Sequence, residues 1–195
     1  MKFEEIKNHL SMFRVGIAGA GGLGSNCAVA LARSGVGTLV IADFDVVDVK
    51  NLNRQYYFSS QVGMAKVKAL KENIASIDKE ILVVIYAERL DRNNIPGLFA
   101  GCDVIVEAFD RADMKEMIAE VVQTRMPGVP LVMGSGMAGY GNTEALRYRR
   151  IDSMLHVCGD ESSQVADDLP PMAPRVGIVA NMQANTVIDI LMKMD

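Results

Sequence analysis

The 195-residue sequence holds no tryptophan, two histidines, three cysteines and six prolines, and only 6% of it is aromatic. The cysteines, Cys27, Cys102 and Cys158, are odd in number, widely separated and without a C-x-x-C pair, with only His9 and His156 to assist them. Neither a disulfide framework nor a zinc site is therefore expected. No apolar stretch approaches the roughly 20 residues that span a bilayer. The first residues, MKFEEIKNHL, carry acids where a secretory signal has a basic and then an apolar segment, so a cytoplasmic protein without membrane contact is expected. Positive charge is in short supply too: 20 Lys and Arg against 24 Asp and Glu leave a net charge of -4. That argues against nucleic acid as the main partner, because binding a phosphate backbone needs a concentrated excess of Lys and Arg.

What is present is a globular composition, half hydrophobic and 23% charged, long enough to bury one sizeable core as a single domain over 1–195. The thirteen methionines read as adaptable core filling. Strand-length apolar runs near 14–18, 38–43, 81–86, 103–107 and 130–134 alternate with helical periodicity over 22–34, 63–77 and 111–124. A short amphipathic helix is expected over 2–10. The pattern predicts an α/β fold, Rossmann-like and doubly wound, with a mainly parallel sheet. The nucleotide-binding part would occupy 1–135. Beyond it, 136–195 reads as a short lobe: a half-buried antiparallel strand over 143–151, a mobile loop over 158–174, and a last helix from 175 to 193.

The most informative short motif is GAGGLG, residues 19–24, between the first strand and the first long helix. Gly19, Gly21 and Gly24 fit G-x-G-x-x-G, with Gly22 in the same loop. Such a loop turns tightly, lets backbone approach a phosphate and packs helix on strand, so that a helix N-terminus faces the anion. Asp43, nineteen residues past Gly24 at the end of the second strand, is spaced to bond both ribose hydroxyls. Loop and acid together indicate an adenosine ligand. They suit an NAD-dependent oxidoreductase as well as a nucleotide-consuming enzyme.

The stretch after Asp43 separates these readings. DFDVVDVKNLNRQYYFSSQVGMAKVKAL, residues 43–70, is polar and cationic where the chain leaves the carboxyl edge of the sheet. Arg54 and Lys66 can neutralise phosphate oxygens, and Asn51 and Gln55 can hydrogen-bond them. A triphosphate uses so many donors; a dinucleotide is mostly served by the glycine loop. Lys68 and Lys71 read as a solvated helix face, and Asp45 and Asp48 as loop acids. Asp110, at the end of VIVEAFD, falls beside the glycine loop in a 3-2-1-4 strand order. A carboxylate beside polyphosphate calls for a cation between them, so Asp110 is a candidate Mg2+ ligand, with Glu107 and Asp113 as weaker ones. Asp110 also reads as an N-cap for a helix from Arg111. An oxidoreductase leaves Arg54, Lys66 and Asp110 without a task. A nucleotide-binding module without catalysis remains a third reading.

GAGGLGS, IADFDVVDVKNLNRQ, VGMAKV and VIVEAFD, in this order over roughly 13–135, closely resemble the ThiF/MoeB/HesA family, relatives of the ubiquitin-activating enzymes. NLNRQ after D-x-D is its most specific element. The CGD stretch and MAPRVGI look most like the shorter ThiF-type members that serve a sulfur carrier in thiamine synthesis. The resemblance implies that ATP and Mg2+ adenylate the C-terminal glycine of a ubiquitin-like sulfur carrier ending in Gly-Gly, with release of pyrophosphate, by a homodimer. It implies that Asp43 holds the ribose, that Asn51, Arg54, Gln55 and Lys66 hold the phosphates, and that Asp110 organises magnesium. Some members use a loop cysteine for sulfur transfer or a thioester, and Cys158 is the thiol expected in such a place; His156 reads as structural. Two departures stand out. FEEIKNHLSM has no counterpart of the N-terminal arginine that many members send into the partner subunit's site, and the zinc-binding pairs of longer relatives are missing.

Overall fold

The computed structural model describes residues 2–194. Its elements are α1 (Phe3–Leu10), β1 (Arg14–Ala18), α2 (Gly22–Ser34), β2 (Thr38–Ala42), α3 (Lys66–Ala75), β3 (Leu82–Tyr86), α4 (Ile95–Leu98), β4 (Val104–Glu107), α5 (Ala112–Arg125), β5 (Leu131–Gly134), β6 (Arg147–Arg150), β7 (Leu155–Gly159) and α6 (Ala173–Leu191), with three short 3-10 turns. The seven strands form one sheet in the order β3-β2-β1-β4-β5-β7-β6. All pairings are parallel except that of β6 with β7. The strand order reverses between β1 and β4, the crevice at which open α/β sheets take ligands.

Strand side chains alternate between two cores. Val15, Ile17, Leu39, Ile41, Val104 and Val106 join α2, α3 and α6 on one face. Val40, Ile105 and Leu131 meet α4 and α5 on the other. Burying both faces explains why these strands are nearly continuous apolar runs. Helix α6 buries Val176, Val179, Ala180, Gln183, Ala184, Val187 and Leu191, one stripe of helical period, against α2 and the sheet. No helix among the described residues is long and apolar enough to cross a membrane.

The chain beyond β5 differs from expectation. The 143–151 segment is a 3-10 turn followed by β6, whose four residues are all exposed. The parallel strand β7 carries Leu155–Gly159 into the sheet beside β5, so the irregular segment starts only at Asp160. The short run LHVCG holds one histidine among apolar residues, and its strand character comes from the vacant edge of β5.

A buried ion pair ties this end of the molecule together. Arg175, 5% exposed, donates to the carbonyls of Gly141 (2.5 Å) and Asn142 (3.1 Å) and to Asp160 Oδ2 (2.5 Å). Asp160 Oδ1 accepts from the amides of Ser162 (2.8 Å) and Ser163 (2.7 Å). The CGD and MAPRVGI stretches are therefore one structural unit. Burial alone would raise the Asp160 carboxyl, but the Ser163 and Ser162 amides and the Arg175 guanidinium outweigh it and hold the group well below the carboxylate range.

A depressed carboxyl contributes stability that is complete above about pH 4 and is lost as pH falls through the folded-state value. Asp160→Asn, which leaves the Arg175 charge buried, is expected to cost about 3 kcal/mol at pH 7. In urea titrations its gap to wild type should narrow by pH 3; an unchanged gap would show that the pair does not act through charge.

Candidate functional site

The site starts from the approach of α2 to β1. Gly19 has φ +100°, and a Cβ at Gly24 would stand 1.9 Å from the Gly19 carbonyl oxygen. Only glycine allows this approach, which aims the first turn of α2 at the β1/β4 crevice. Sequence reasoning missed most of the groups that brace the loop. Asp43 Oδ2 accepts from the Ala20 amide (2.6 Å), and the buried Tyr57 hydroxyl donates to the Ala20 carbonyl (2.7 Å). Burial raises the Tyr57 phenol far above its ordinary range, so it stays a donor. Ser25 Oγ donates to the Gly21 carbonyl (2.6 Å) and accepts from the Tyr56 amide (2.9 Å). Asn26 Nδ2 donates to the carbonyls of Gly22 (2.7 Å) and Arg54 (3.0 Å). Polar residues directly after the last glycine of the motif were the available signal for Ser25 and Asn26.

These bonds draw the 51–57 turn onto the glycine loop. A Cβ at Gly21 would lie 3.8 Å from Gln55 Nε2, and one at Gly22 would lie 3.7 Å from Arg54 Cγ. Gln55 is buried, and its Oε1 is without a hydrogen-bond partner among the described residues. An orphaned buried acceptor beside an open backbone cradle fits a polar ligand there. Arg54 is half-buried, its Nη1 turned onto the Lys50 carbonyl (3.1 Å) and Asn53 Oδ1 (2.8 Å). Asn51 is buried, and its Oδ1 accepts from the Asp48 amide (3.2 Å) in a 3-10 turn.

Lys66 opens α3 with 5% of its surface exposed, and its ammonium donates to Asp45 Oδ2 at 2.8 Å. Asp45, expected to be only a loop acid, is thus the partner of a candidate phosphate ligand. Its amide donates to Asp43 Oδ1 (2.7 Å). Glycine loop, Asp43, Asp45 and Lys66 therefore form one connected chain of hydrogen bonds. Each Asp43 oxygen retains a second lone pair for a ligand hydroxyl.

Across the crevice, a Cβ at Gly19 would meet the Ala108 carbonyl oxygen at 2.9 Å and the Phe109 ring at 3.5 Å. This brings Asp110, exposed and two residues past Ala108, to the rim of the same loop. Asp110 is not an N-cap: α5 starts at Ala112, with Arg111 in the cap position. Glu107 is not positioned for a metal either. It is fully buried, receives Lys115 Nζ on both oxygens (2.8 and 3.0 Å) and accepts from the Phe109 amide (2.6 Å), while the same ammonium donates to the Gly134 carbonyl (2.7 Å). Burial pushes its carboxyl up, against the pull of Lys115. Asp113 is taken by Arg111 in a two-point contact (3.0 and 2.7 Å). Among the described residues there is no group of three or more His, Cys, Asp or Glu that could hold a metal ion.

Cys158 does not lie in the mobile loop expected for it. It lies within β7 at 0% exposure, beside Thr186 Oγ1 at 3.7 Å, and burial pushes its thiol up to about 11. A buried, neutral thiol is a poor nucleophile. His156 is buried next to it in the strand, its Nδ1 2.9 Å from the Tyr148 hydroxyl. Cys27 and Cys102 are buried too. In native buffer at pH 8, titration with a disulfide reagent should therefore modify all three thiols slowly, and quickly once denaturant is added. Rapid native labelling of Cys158 would restore it as a candidate nucleophile.

The ThiF family model matches residues 3–195. The molybdopterin-synthase adenylyltransferase of Salmonella typhimurium is 30% identical over 182 residues, covering 91% of this chain and 72% of that protein. The SAMP-activating enzyme E1 of Haloferax volcanii is 35% identical over 132 residues, 67% of this chain and 48% of its own. The adenylyltransferase and sulfurtransferase MOCS3 of Caenorhabditis briggsae is 31% identical over 185 residues, 91% of this chain and 45% of its own. The chain spans less than half the length of these last two. Among solved structures, the E. coli tRNA N6-threonylcarbamoyladenosine dehydratase TcdA, in complex with AMP, superposes with a TM-score of 0.85 over 96% of this chain and 89% of that one, at 20% identity; that likeness concerns the fold. By the family match over nearly its whole length and by its similarity to the Salmonella protein, the chain belongs to the ThiF family.

Proposed function

We propose that the chain is an adenylyltransferase that uses ATP to activate the C-terminal glycine carboxylate of a ubiquitin-like sulfur carrier ending in Gly-Gly, releasing pyrophosphate. The observation that carries this reading is the convergence of Asp43, Arg54 and Gln55 on the glycine loop, with Lys66 joined to it through Asp45. A redox cofactor would leave the cationic half of that arrangement without work. Names of relatives, among them adenylyltransferases, support the same reading.

The chemistry asks little covalent help from the protein. A glycine carboxylate is already ionised, so no general base is required, and catalysis reduces to positioning and to stabilising charge at the α-phosphate. Asp43 would bind the ribose, the α2 N-terminus and the Gln55 Nε2 amide beside Gly21 would donate to the phosphates, and Arg54 and Lys66 would meet the charge that develops in the transition state. Asp110, exposed at the rim of the loop, would hold a magnesium ion arriving with the nucleotide, and the ion would supply charge neutralisation at the phosphates. Arg54 reaches the phosphates by leaving its hydrogen bonds to the 50–53 turn.

Two finer readings belong to the proposal. The CGD and MAPRVGI stretches favour a carrier of thiamine synthesis; similarity to the Salmonella protein makes a molybdopterin-type carrier the natural comparison. A homodimer is what the family resemblance implies, and the exposed outer face of α6 around Pro174, Ile178, Asn181 and Asn185 is the surface it would use.

ATP-pyrophosphate exchange tests the reading. Exchange should appear when a Gly-Gly carrier is added and be absent with a carrier lacking the last glycine, and comparing the two carrier types identifies the pathway. Arg54→Ala and Asp110→Ala should each reduce exchange by at least about a hundredfold, the size seen when one transition-state donor is removed, with unchanged circular dichroism. Near-normal exchange in both variants would overturn the site assignment.

A further inference from the structure

The Asp45–Lys66 contact joins Lys66 to the glycine loop, and its asymmetry points to a further role. The Lys66 side chain is 6% exposed and that of Asp45 is 48% exposed. Removing an ammonium from water is costly unless a negative charge accompanies it, so something anionic has to stand at Lys66 at all times. Lysine is also a poor choice for the first residue of a helix, because the positive end of the helix dipole repels it. Helix α3 has no acid in its first turn and no capping side chain. The local field therefore favours an anion twice over, and Asp45 is the carboxylate that meets it.

The two partners differ in freedom. Lys66 is fixed at the start of α3, with its amide bonded to the Asp45 carbonyl (2.9 Å) and its neighbour Ala65 bridged to Val46. The Asp45 backbone is fixed as well, through its amide on Asp43 Oδ1 (2.7 Å). Only the Asp45 carboxylate, half in water, can turn away without disturbing either segment.

We infer that Asp45 is an exchangeable counter-ion: it holds the Lys66 ammonium in place until nucleotide binds, and yields it to the phosphates. Asp45 is thus a positioning residue that acts through Lys66. The inference rests on the nucleotide reading of the site. It accounts for a lysine kept almost wholly out of water at a position that must also accept a highly charged ligand.

A double-mutant cycle on the full chain tests it, with ATP as the probe and calorimetry as the readout. Asp45→Asn should lower the melting temperature without ATP and yet tighten ATP binding by about three- to fivefold, the size of a part-exposed ion pair that no longer has to be broken. A residue with only a structural role would not improve affinity. In a Lys66→Met background the same substitution should leave ATP affinity unchanged, and Asp45→Glu should restore the wild-type value. If Asp45→Asn folds poorly, Asp45→Ser and the ATP-dependent shift in melting temperature read the same cycle. Unchanged or weaker ATP binding in Asp45→Asn, with binding still dependent on Lys66, overturns the inference alone. Equal tightening in both backgrounds also overturns it, since that is general repulsion. A wild-type protein that binds no ATP removes the proposed function and the inference together.

Discussion

The molecule is organised around the contact of Gly24 with the Gly19 carbonyl. Because no side chain intervenes, α2 begins against the end of β1, and its free amides face the crevice where the strand order reverses. Everything else at the site is attached to that loop. Asp43 accepts from the Ala20 amide and Tyr57 donates to the Ala20 carbonyl, Ser25 and Asn26 draw in the turn that carries Arg54 and Gln55, and the Ala108 carbonyl with the Phe109 ring closes the opposite wall. A bulkier residue at position 24 would displace the loop and, with it, all four attachments.

Around this loop, burial of charge follows one rule. Three largely buried cations, Lys66, Lys115 and Arg175, each meet one carboxylate, Asp45, Glu107 and Asp160. Each pair fixes a different piece of irregular chain at the carboxyl edge of the sheet: the 43–66 loop, the turn before α5, and the junction of β7 with α6. Isolated buried charge is expensive, so the pairs define where these loops sit. The difference among them is exposure. Glu107 and Asp160 are sealed in, whereas Asp45 is half in water, so only at Lys66 is the carboxylate open to solvent.

Much of the fold was legible because the parallel strands are apolar on both faces. The five runs read from hydrophobicity match β1 to β5 within a residue or two, and the four longer helices follow from 3.6-residue periodicity and the glycine motif. The region after β5 was not legible to the same degree. LHVCG is short and interrupted by His156, which becomes acceptable in a strand because Tyr148 of the neighbouring β6 bonds its ring. Without that partner the segment reads as the start of a loop, and Cys158 was accordingly expected in a mobile segment. In the fold its side chain faces α6, and the thiol is out of reach.

Local sequence determined which residue types surround the glycine loop: glycines at fixed spacing, an acid at the end of the next strand, and cations and amides in the following loop. These follow from backbone geometry and charge over short distances, and they can be read in order along the chain. Tertiary structure alone decided which acids are free and which are occupied. Glu107 and Asp110 are three residues apart, yet one is sealed against Lys115 and the other is open to water. Asp45 and Asp48 look alike in sequence, yet Asp45 neutralises Lys66 while Asp48 caps a turn. Pairing of charge depends on which side chains share a buried volume, and that is settled only when helices close over the sheet.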